Sequence, residues 1–247
     1  MMRLENEVFV VTGAQGGMGK ETVRRFLEEG ALVVAVDLNV DGVEESNNLL
    51  PIAADLTKEE EVENVFSASI EKFERIDGLV NIAGIAQPAT PIEEVSLADW
   101  EKIMRVNVTA PFLTCRAVVP YMKKKGKGVI VNIASISMVR PRPGLNAYIA
   151  SKGAAVSFSQ ALAIELAEYG IRVNVVNPGP ADTKMLEEFT AKDKDFETVK
   201  ENVFKKSVPL GRLIEPIDIA NSLVYLCSRE ASIVTGSVLN VDGGRGI

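Results

Sequence analysis

The sequence predicts an α/β fold: one doubly wound parallel β-sheet with helices on both faces. Two observations carry that prediction. Short β-branched runs alternate with longer amphipathic stretches along the whole 247 residues, uninterrupted by a linker, a repeat or a low-complexity segment. The runs are continuously apolar rather than alternating, as in ALVVAV (31–36), which marks strands buried on both faces. One domain over 1–247 follows.

Each element has its own reason. EVFVVTG (7–13) opens the sheet and runs into a glycine-rich turn, after which residues 17–30 read as a helix. ALVVAVD (31–37) and LPIAAD (50–55) are strand-length apolar runs that each end on an aspartate. A helix over 58–74 leads to DGLVNIAG (77–84), and a longer one over 97–123 leads to GVIVNIAS (128–135). Residues 146–169 form the next helix, IRVNVVNPG (171–179) the sixth strand, 215–228 a last helix and GSVLNVDGG (236–244) the seventh strand. Residues 183–208 break this rhythm, being charged and helix-prone where no further crossover is needed. Ligands of such sheets bind beyond the carboxyl ends of the strands, so this segment is expected to act as a lid.

Composition excludes several classes. A net charge of −7, spread along the chain, argues against nucleic acid or an anionic membrane surface as partner. Apolar runs are strand-length, far short of a membrane helix, and MMRLENE at the start is charged; a cytoplasmic protein is expected. Cys115 and Cys227 are isolated, which suits a reducing compartment and core positions better than a disulfide. With no histidine and no clustered cysteines, no metal site is expected. The lack of imidazole also means that any proton transfer near neutral pH uses another side chain.

The turn after the first strand contains Gly13, Gln15, Gly16, Gly17, Met18 and Gly19 and leads into a helix. Glycines there let backbone amides approach a pyrophosphate, and the helix N-terminus adds partial positive charge. The spacing G-x-x-x-G-x-G differs from the commoner dinucleotide pattern and from a P-loop. Asp37 closes the second strand, where a carboxylate accepts hydrogen bonds from the adenosine ribose and repels a 2′-phosphate. Leu38 supplies no cation beside it, and Lys20 at the helix start need not face the ribose, so NAD is expected over NADP.

With Thr12-Gly13, Gly17, Gly19, Asn81-Ile82-Ala83-Gly84, Ser135, Tyr148-x-x-x-Lys152 and Pro178-Gly179 in this order, the sequence resembles the short-chain dehydrogenase/reductase family, from the first strand to VDGG (241–244). Ile82 stands where the family usually has a second asparagine, and GRLIEP (211–216) lacks a common second glycine. The resemblance implies a Rossmann fold and a catalytic tetrad of Asn107, Ser135, Tyr148 and Lys152, with Ser137 a local competitor for Ser135. Physical reasoning accompanies each. Tyr148 and Lys152 lie one helical turn apart and share a face. A phenol titrates near 10, and an ammonium ~5 Å away favours phenolate by roughly 3 kcal/mol, about two pH units. Tyrosine would then act as the acid or base that histidine supplies elsewhere. Ser135, at the end of the fifth strand, would hold the substrate oxygen. Pro111 lacks an N–H, so the Asn107 carbonyl loses its helical donor and, by the resemblance, would hold a water linking Lys152 to solvent.

The resemblance further places Asp55 and Leu56 by the adenine, Asn81, Ala83, Gly84 and Val106 near the adenosine-side ribose, and Pro178, Gly179 and Thr183 at the nicotinamide carboxamide. Tyr148 and Lys152 also belong to the cofactor site, Lys152 at the nicotinamide ribose. Met138, Val139, Met185, Leu186 and Phe189 are expected to form an apolar substrate wall, while Arg140 and Arg142 read either as an anion contact or as solvated loop charges. The partner is therefore a small alcohol or carbonyl compound: a sugar, polyol, hydroxy acid or other secondary alcohol, or alternatively a 3-oxoacyl-carrier-protein reduced with NADPH. A dinucleotide sensor without turnover is the third reading, which the complete tetrad disfavours. Similar proteins pair the 146–169 helix and the one before it across a two-fold axis, so the resemblance implies a homotetramer. The alanines along 146–169 permit that close approach, with Trp100 and Phe112 as anchors and VDGGRGI at another subunit contact.

Overall fold

Every side chain of β1 (Val8–Thr12), β4 (Gly78–Asn81) and β5 (Gly128–Ile133) is buried, because valine-rich strands here are covered on both faces. The computed structural model describes residues 2–190 and 195–247. With β2 (Leu32–Asp37), β3 (Leu49–Ala53), β6 (Ile171–Pro178) and β7 (Val238–Val241), these strands form one parallel sheet in the order β3-β2-β1-β4-β5-β6-β7. Direction of winding reverses between β1 and β4, whose register pairs Thr12 with Asn81. That reversal leaves a crevice beyond the strands' carboxyl ends.

Strand alternation sends Phe9 and Val11 to one face and Val10 to the other. The first face is covered by α1 (Gly17–Glu28) and α8 (Pro216–Cys227), through Phe26, Ile219 and Leu223. Between these two helices lie α2 (Glu59–Phe73), α3 (Leu97–Met104), α4 (Ala110–Lys125), α5 (Asn146–Leu166), α6 (Lys184–Glu188) and α7 (Phe196–Val199). Helices α2, α4 and α5 cover the second face, through Phe66, Met122 and Leu166. Phe9 and Phe26 meet edge to face with centroids 5.0 Å apart; each buried ring of this size contributes about 2–3 kcal/mol. Both cysteines are free and buried in this core, and burial pushes the Cys115 thiol up to about 12.

The helix expected over 97–123 is divided. Residues Arg105–Thr109 form a π-turn between α3 and α4. Pro111 cannot donate to an α-helical carbonyl, and the wider turn accommodates the missing bond. The expected lid carries α6, α7, a second π-turn at Lys200–Phe204 and a short 3-10 turn at Lys205–Ser207; its residues 191–194 lie outside the described residues. The C-terminal segment folds back on its own chain. Asp242 accepts the amides of Gly244 and Gly246 (3.0 and 2.7 Å), which turns the tail inward and buries Arg245. Among the described residues no helix is long and apolar enough to cross a membrane.

Candidate active site

The turn between β1 and α1 is shaped by two glycines. Gly13 has φ +68°, and a Cβ there would lie 2.7 Å from the Ala83 amide nitrogen. A Cβ on Gly19 would strike the Gly13 carbonyl oxygen. The first turn of α1 holds no acidic residue, so its free amides and positive dipole end face the crevice unopposed. Asp37 is fixed across from them: its Oδ2 accepts the Gln15 amide at 2.8 Å and its Oδ1 that of Leu38 at 2.8 Å.

A cleft of about 580 Å³ runs from this turn along the carboxyl ends of the strands. Gly13, Gln15, Gly16, Gly17, Met18 and Gly19 line its floor, and Asp37, Leu38, Asp55 and Leu56 one end. Ala83, Gly84, Val106 and Thr183 close the sides. Two lysines, Lys20 and Lys184, also border it, so Lys20 does reach the cleft that the sequence left open. Asp55 is turned into its own loop, accepting the Thr57 amide and hydroxyl at 3.0 and 2.7 Å.

Asn81 departs from its expected place. Its side chain is buried beneath the cleft floor, donating to Asn132 Oδ1 (2.9 Å) and accepting from Thr114 Oγ1 (2.9 Å). Asn132 in turn donates to Ser159 (2.8 Å), so the asparagine ties β4 and β5 to α4 and α5. Side chains alternate along a strand, and this one points into the protein, leaving Ile82, Ala83 and Gly84 to reach the cleft.

Deeper in, Ser135, Tyr148 and Lys152 line a second, tighter cavity of about 70 Å³ continuous in residues with the cleft at Met18, Gly84 and Thr183. The Ser135 hydroxyl acts on the Tyr148 phenol, lowering its pKa. It also accepts the Ser137 amide (3.1 Å), and Ser135, not Ser137, is the serine that acts on the phenol. Lys152 is 5% exposed and donates to the Ile133 carbonyl at 3.0 Å. Its Nζ lies 5.8 Å from the Tyr148 ring centre. A Cβ on Gly84 would stand 3.3 Å from that nitrogen, so glycine here makes room for the ammonium.

Burial outweighs the expected effect of the lysine on the phenol. The lysine was expected to bring the phenol down, but burial pushes Tyr148 up to about 12, with the Ser135 hydrogen bond acting against it. Burial likewise pushes Lys152 down to about 8. Desolvation disfavours whichever form is charged, so at 6% exposure the phenolate loses more than these neighbours return.

Asn107 joins the group by its side chain, which the sequence reading did not use. Its Oδ1 accepts the Ile85 amide (2.8 Å), and its Nδ2 donates to the Ile85 carbonyl (3.0 Å) and to Ser151 Oγ (3.1 Å). Ser151 donates to the Tyr148 carbonyl (2.7 Å), so the π-turn, the strand-four loop and α5 are clamped together. Gln87 was also missed. Its Oε1 accepts the Tyr148 amide (2.9 Å), one of the free donors at the start of α5. Gln87 belongs to a loop without periodic pattern, and no local signal singles it out.

Of the expected substrate wall, Met185, Leu186 and Phe189 line the tight cavity. The Phe189 ring stands edge-on to Tyr148 with centroids 4.9 Å apart. Met138 instead packs on Ala134, Val156 and Val175, and Val139 is exposed, because the 3-10 turn after Ser135 rotates them away. Arg142 is no solvated loop charge: it borders the cavity and lies over the Phe204 ring at 4.6 Å.

The chain is similar over nearly its whole length to known proteins. A family model described as enoyl-(acyl carrier protein) reductase matches residues 13–245. The chain is 37% identical to a 3-oxoacyl-(acyl-carrier-protein) reductase of Thermotoga maritima, over 98% of this chain and 99% of that protein. It is 35% identical to the 4-formylbenzenesulfonate dehydrogenase of Comamonas testosteroni, covering both in full. The crystal structure of a 3-ketoacyl-(acyl-carrier-protein) reductase from Brucella melitensis complexed with NADH superposes with a TM-score of 0.91, at 40% identity, over 99% of this chain and 100% of that one.

Proposed function

The chain belongs to the short-chain dehydrogenase/reductase family of nicotinamide-dependent oxidoreductases, and from that premise we propose that it interconverts a secondary alcohol and a ketone with NAD(H). The observation that carries the reading is the Ser135, Tyr148 and Lys152 group, set beside a cleft whose far end is closed by Asp37.

The residues present suit a dinucleotide. The glycine cradle at Gly13–Gly19 takes the pyrophosphate, Asp37 the adenosine ribose hydroxyls, Asp55 and Leu56 the adenine side, and Thr183 with Pro178 and Gly179 the carboxamide. Bound there, the nicotinamide supplies or accepts the hydride. The protein's own work is positional and electrostatic. Ser135 donates to the substrate oxygen and holds it by the phenol; Tyr148 gives its proton to that oxygen in reduction and takes one from it in oxidation. Lys152 supplies positive charge to the phenolate, and the Asn107–Ser151 clamp fixes the backbone that carries the tyrosine. Residues 183–208 act as the lid, with Phe189 moving off Tyr148 to admit substrate.

The NAD preference rests on the Asp37 carboxylate, which opposes a 2′-phosphate. A second reading, NADPH-dependent reduction of a 3-oxoacyl thioester, is favoured by Lys20 and Lys184 at the cleft and by the names of two relatives. Steady-state rates in both directions with each cofactor, over a panel of sugars, polyols, hydroxy acids and oxoacyl thioesters, separate the two. Binding of either dinucleotide without turnover of any compound would defeat both. A homotetramer is part of the same proposal. Phe112, Trp100, Ala150, Ala161 and the 83%-exposed Ile164 leave α3, α4 and α5 with an apolar outer face, whereas Ala147, Ala155 and Ala163 are used within the subunit. Light scattering giving a monomer mass at micromolar concentration would exclude it.

A further inference from the structure

Two arginines from distant segments meet at the cavity that holds Tyr148. Arg142 comes from the loop before α5, and Arg245 from the tail after β7. Arg245 is 6% exposed, and its Nη1 is buried without any hydrogen-bond acceptor among the described residues. Arg140 adds a third charge beside Arg245, donating from Nη1 to the Arg245 carbonyl at 3.0 Å. Among the described residues no carboxylate forms an ion pair with Arg140, Arg142 or Arg245. The nearest acid, Asp242, spends both oxygens on the amides of Gly244 and Gly246. Burial lowers the pKa of Arg245, and the charges of Arg142 and Arg140 lower it further, with Asp242 acting against them.

Like charges gathered in a poorly solvated place, with a guanidinium donor unused, are costly unless an acceptor arrives. Planar guanidinium groups match oxyanions with two parallel donors. The dinucleotide's phosphates are not that acceptor: neither arginine borders the glycine-turn cleft. Met185, Leu186 and Phe189 make one side of the cavity apolar, and among its lining residues no carboxylate opposes an incoming anion.

We infer that Arg142 and Arg245 form an oxyanion subsite beside Tyr148, so that the substrate of this chain carries a carboxylate, sulfonate or phosphate group besides its carbinol or carbonyl. This deepens the oxidoreductase reading and rests on it for the word substrate; the subsite itself is a binding property. Arg245 provides the fixed, buried end, held by the tail's turn at Asp242. Arg142, stacked on Phe204, belongs to the loop and lid side and closes over the anion as the lid seats.

The test uses methyl-ketone carboxylates with one to four methylenes between the groups, each beside its methyl ester, and the corresponding sulfonates. Calorimetric binding to the full chain saturated with NADH, and in parallel with NADPH, reads the subsite without turnover. The expected result is an acid-over-ester preference of about 10- to 100-fold for at least one length, as for a buried charge-assisted pair. In Arg245→Met and Arg142→Gln that preference falls below about 3-fold, while Arg245→Lys keeps part of it. If Arg245→Met does not fold, as judged by circular dichroism, the less buried Arg142 carries the comparison. Equal binding of acid and ester at every length, or a preference that survives both substitutions, overturns the subsite. Turnover on the same compounds keeps the two proposals apart. Esters and acids reduced equally well would leave the oxidoreductase standing without the subsite, and acids bound selectively without any turnover would leave the subsite standing without the reaction.

Discussion

Lys152→Met isolates the electrostatic core of the mechanism. With burial raising it and the Ser135 hydrogen bond lowering it, the Tyr148 phenol stands at about 12, too high for a base at neutral pH. An ammonium 5.8 Å from the ring, at an effective dielectric of about 20, stabilises the phenolate by about 3 kcal/mol, or about two pH units. Removing it should move the acid limb of the kcat/KM profile for alcohol oxidation upward by about two pH units, a loss of about 100-fold at neutral pH. The loss should shrink as pH rises through about 8, where the wild-type lysine, depressed by burial, itself releases its proton. The two groups titrate as a pair, so the profile gives the pair's midpoints. The assay is initial-rate oxidation across pH 6 to 11, with cofactor affinity measured separately. A folded, cofactor-binding variant whose profile keeps the wild-type midpoint would refute the claim that lysine tunes the tyrosine.

Four further outcomes follow from the same geometry. The Lys152 pKa falls from 10.5 unfolded to about 8 folded, so the unfolded chain binds more protons between those values and stability rises with pH across that window. At neutral pH the buried ammonium costs about 3 kcal/mol, less its bond to Ile133; Lys152→Met without cofactor should therefore melt higher than wild type at pH 7, with the gap closing towards pH 10.5 in calorimetric scans. Asp37→Asn keeps an acceptor for the Gln15 amide but removes the charge, and should lower the KM for NADP at least about tenfold in steady-state assays. Gly19→Ala drives a methyl into the Gly13 carbonyl and should weaken dinucleotide binding by about 100-fold by fluorescence titration. Gln87→Ala frees the Tyr148 amide; it should cost about 1 kcal/mol of stability and lower kcat, with the dissociation constant of NADH unmoved.

By itself the sequence determined the sheet, because strands buried on both faces need unbroken valine and isoleucine, and it determined where the glycine turn, Asp37, Ser135, Tyr148 and Lys152 stand along the chain. The sheet and the turn follow from local properties, periodicity and turn chemistry. Ser135, Tyr148 and Lys152 were singled out by the family resemblance, to which helical spacing adds the shared face of the last two. Only the tertiary structure decided what depends on neighbours from elsewhere. Asn81 and Asn107 are both polar residues of motifs, yet one faces inward to bind Asn132 and the other clamps Ile85 to Ser151. Gln87 reaches Tyr148 across 61 positions, and Arg245 joins Arg142 from the far end of the chain. The height of the Tyr148 pKa was likewise out of reach, since desolvation is a sum over every group packed around the phenol, and a spacing of four residues names only one of them.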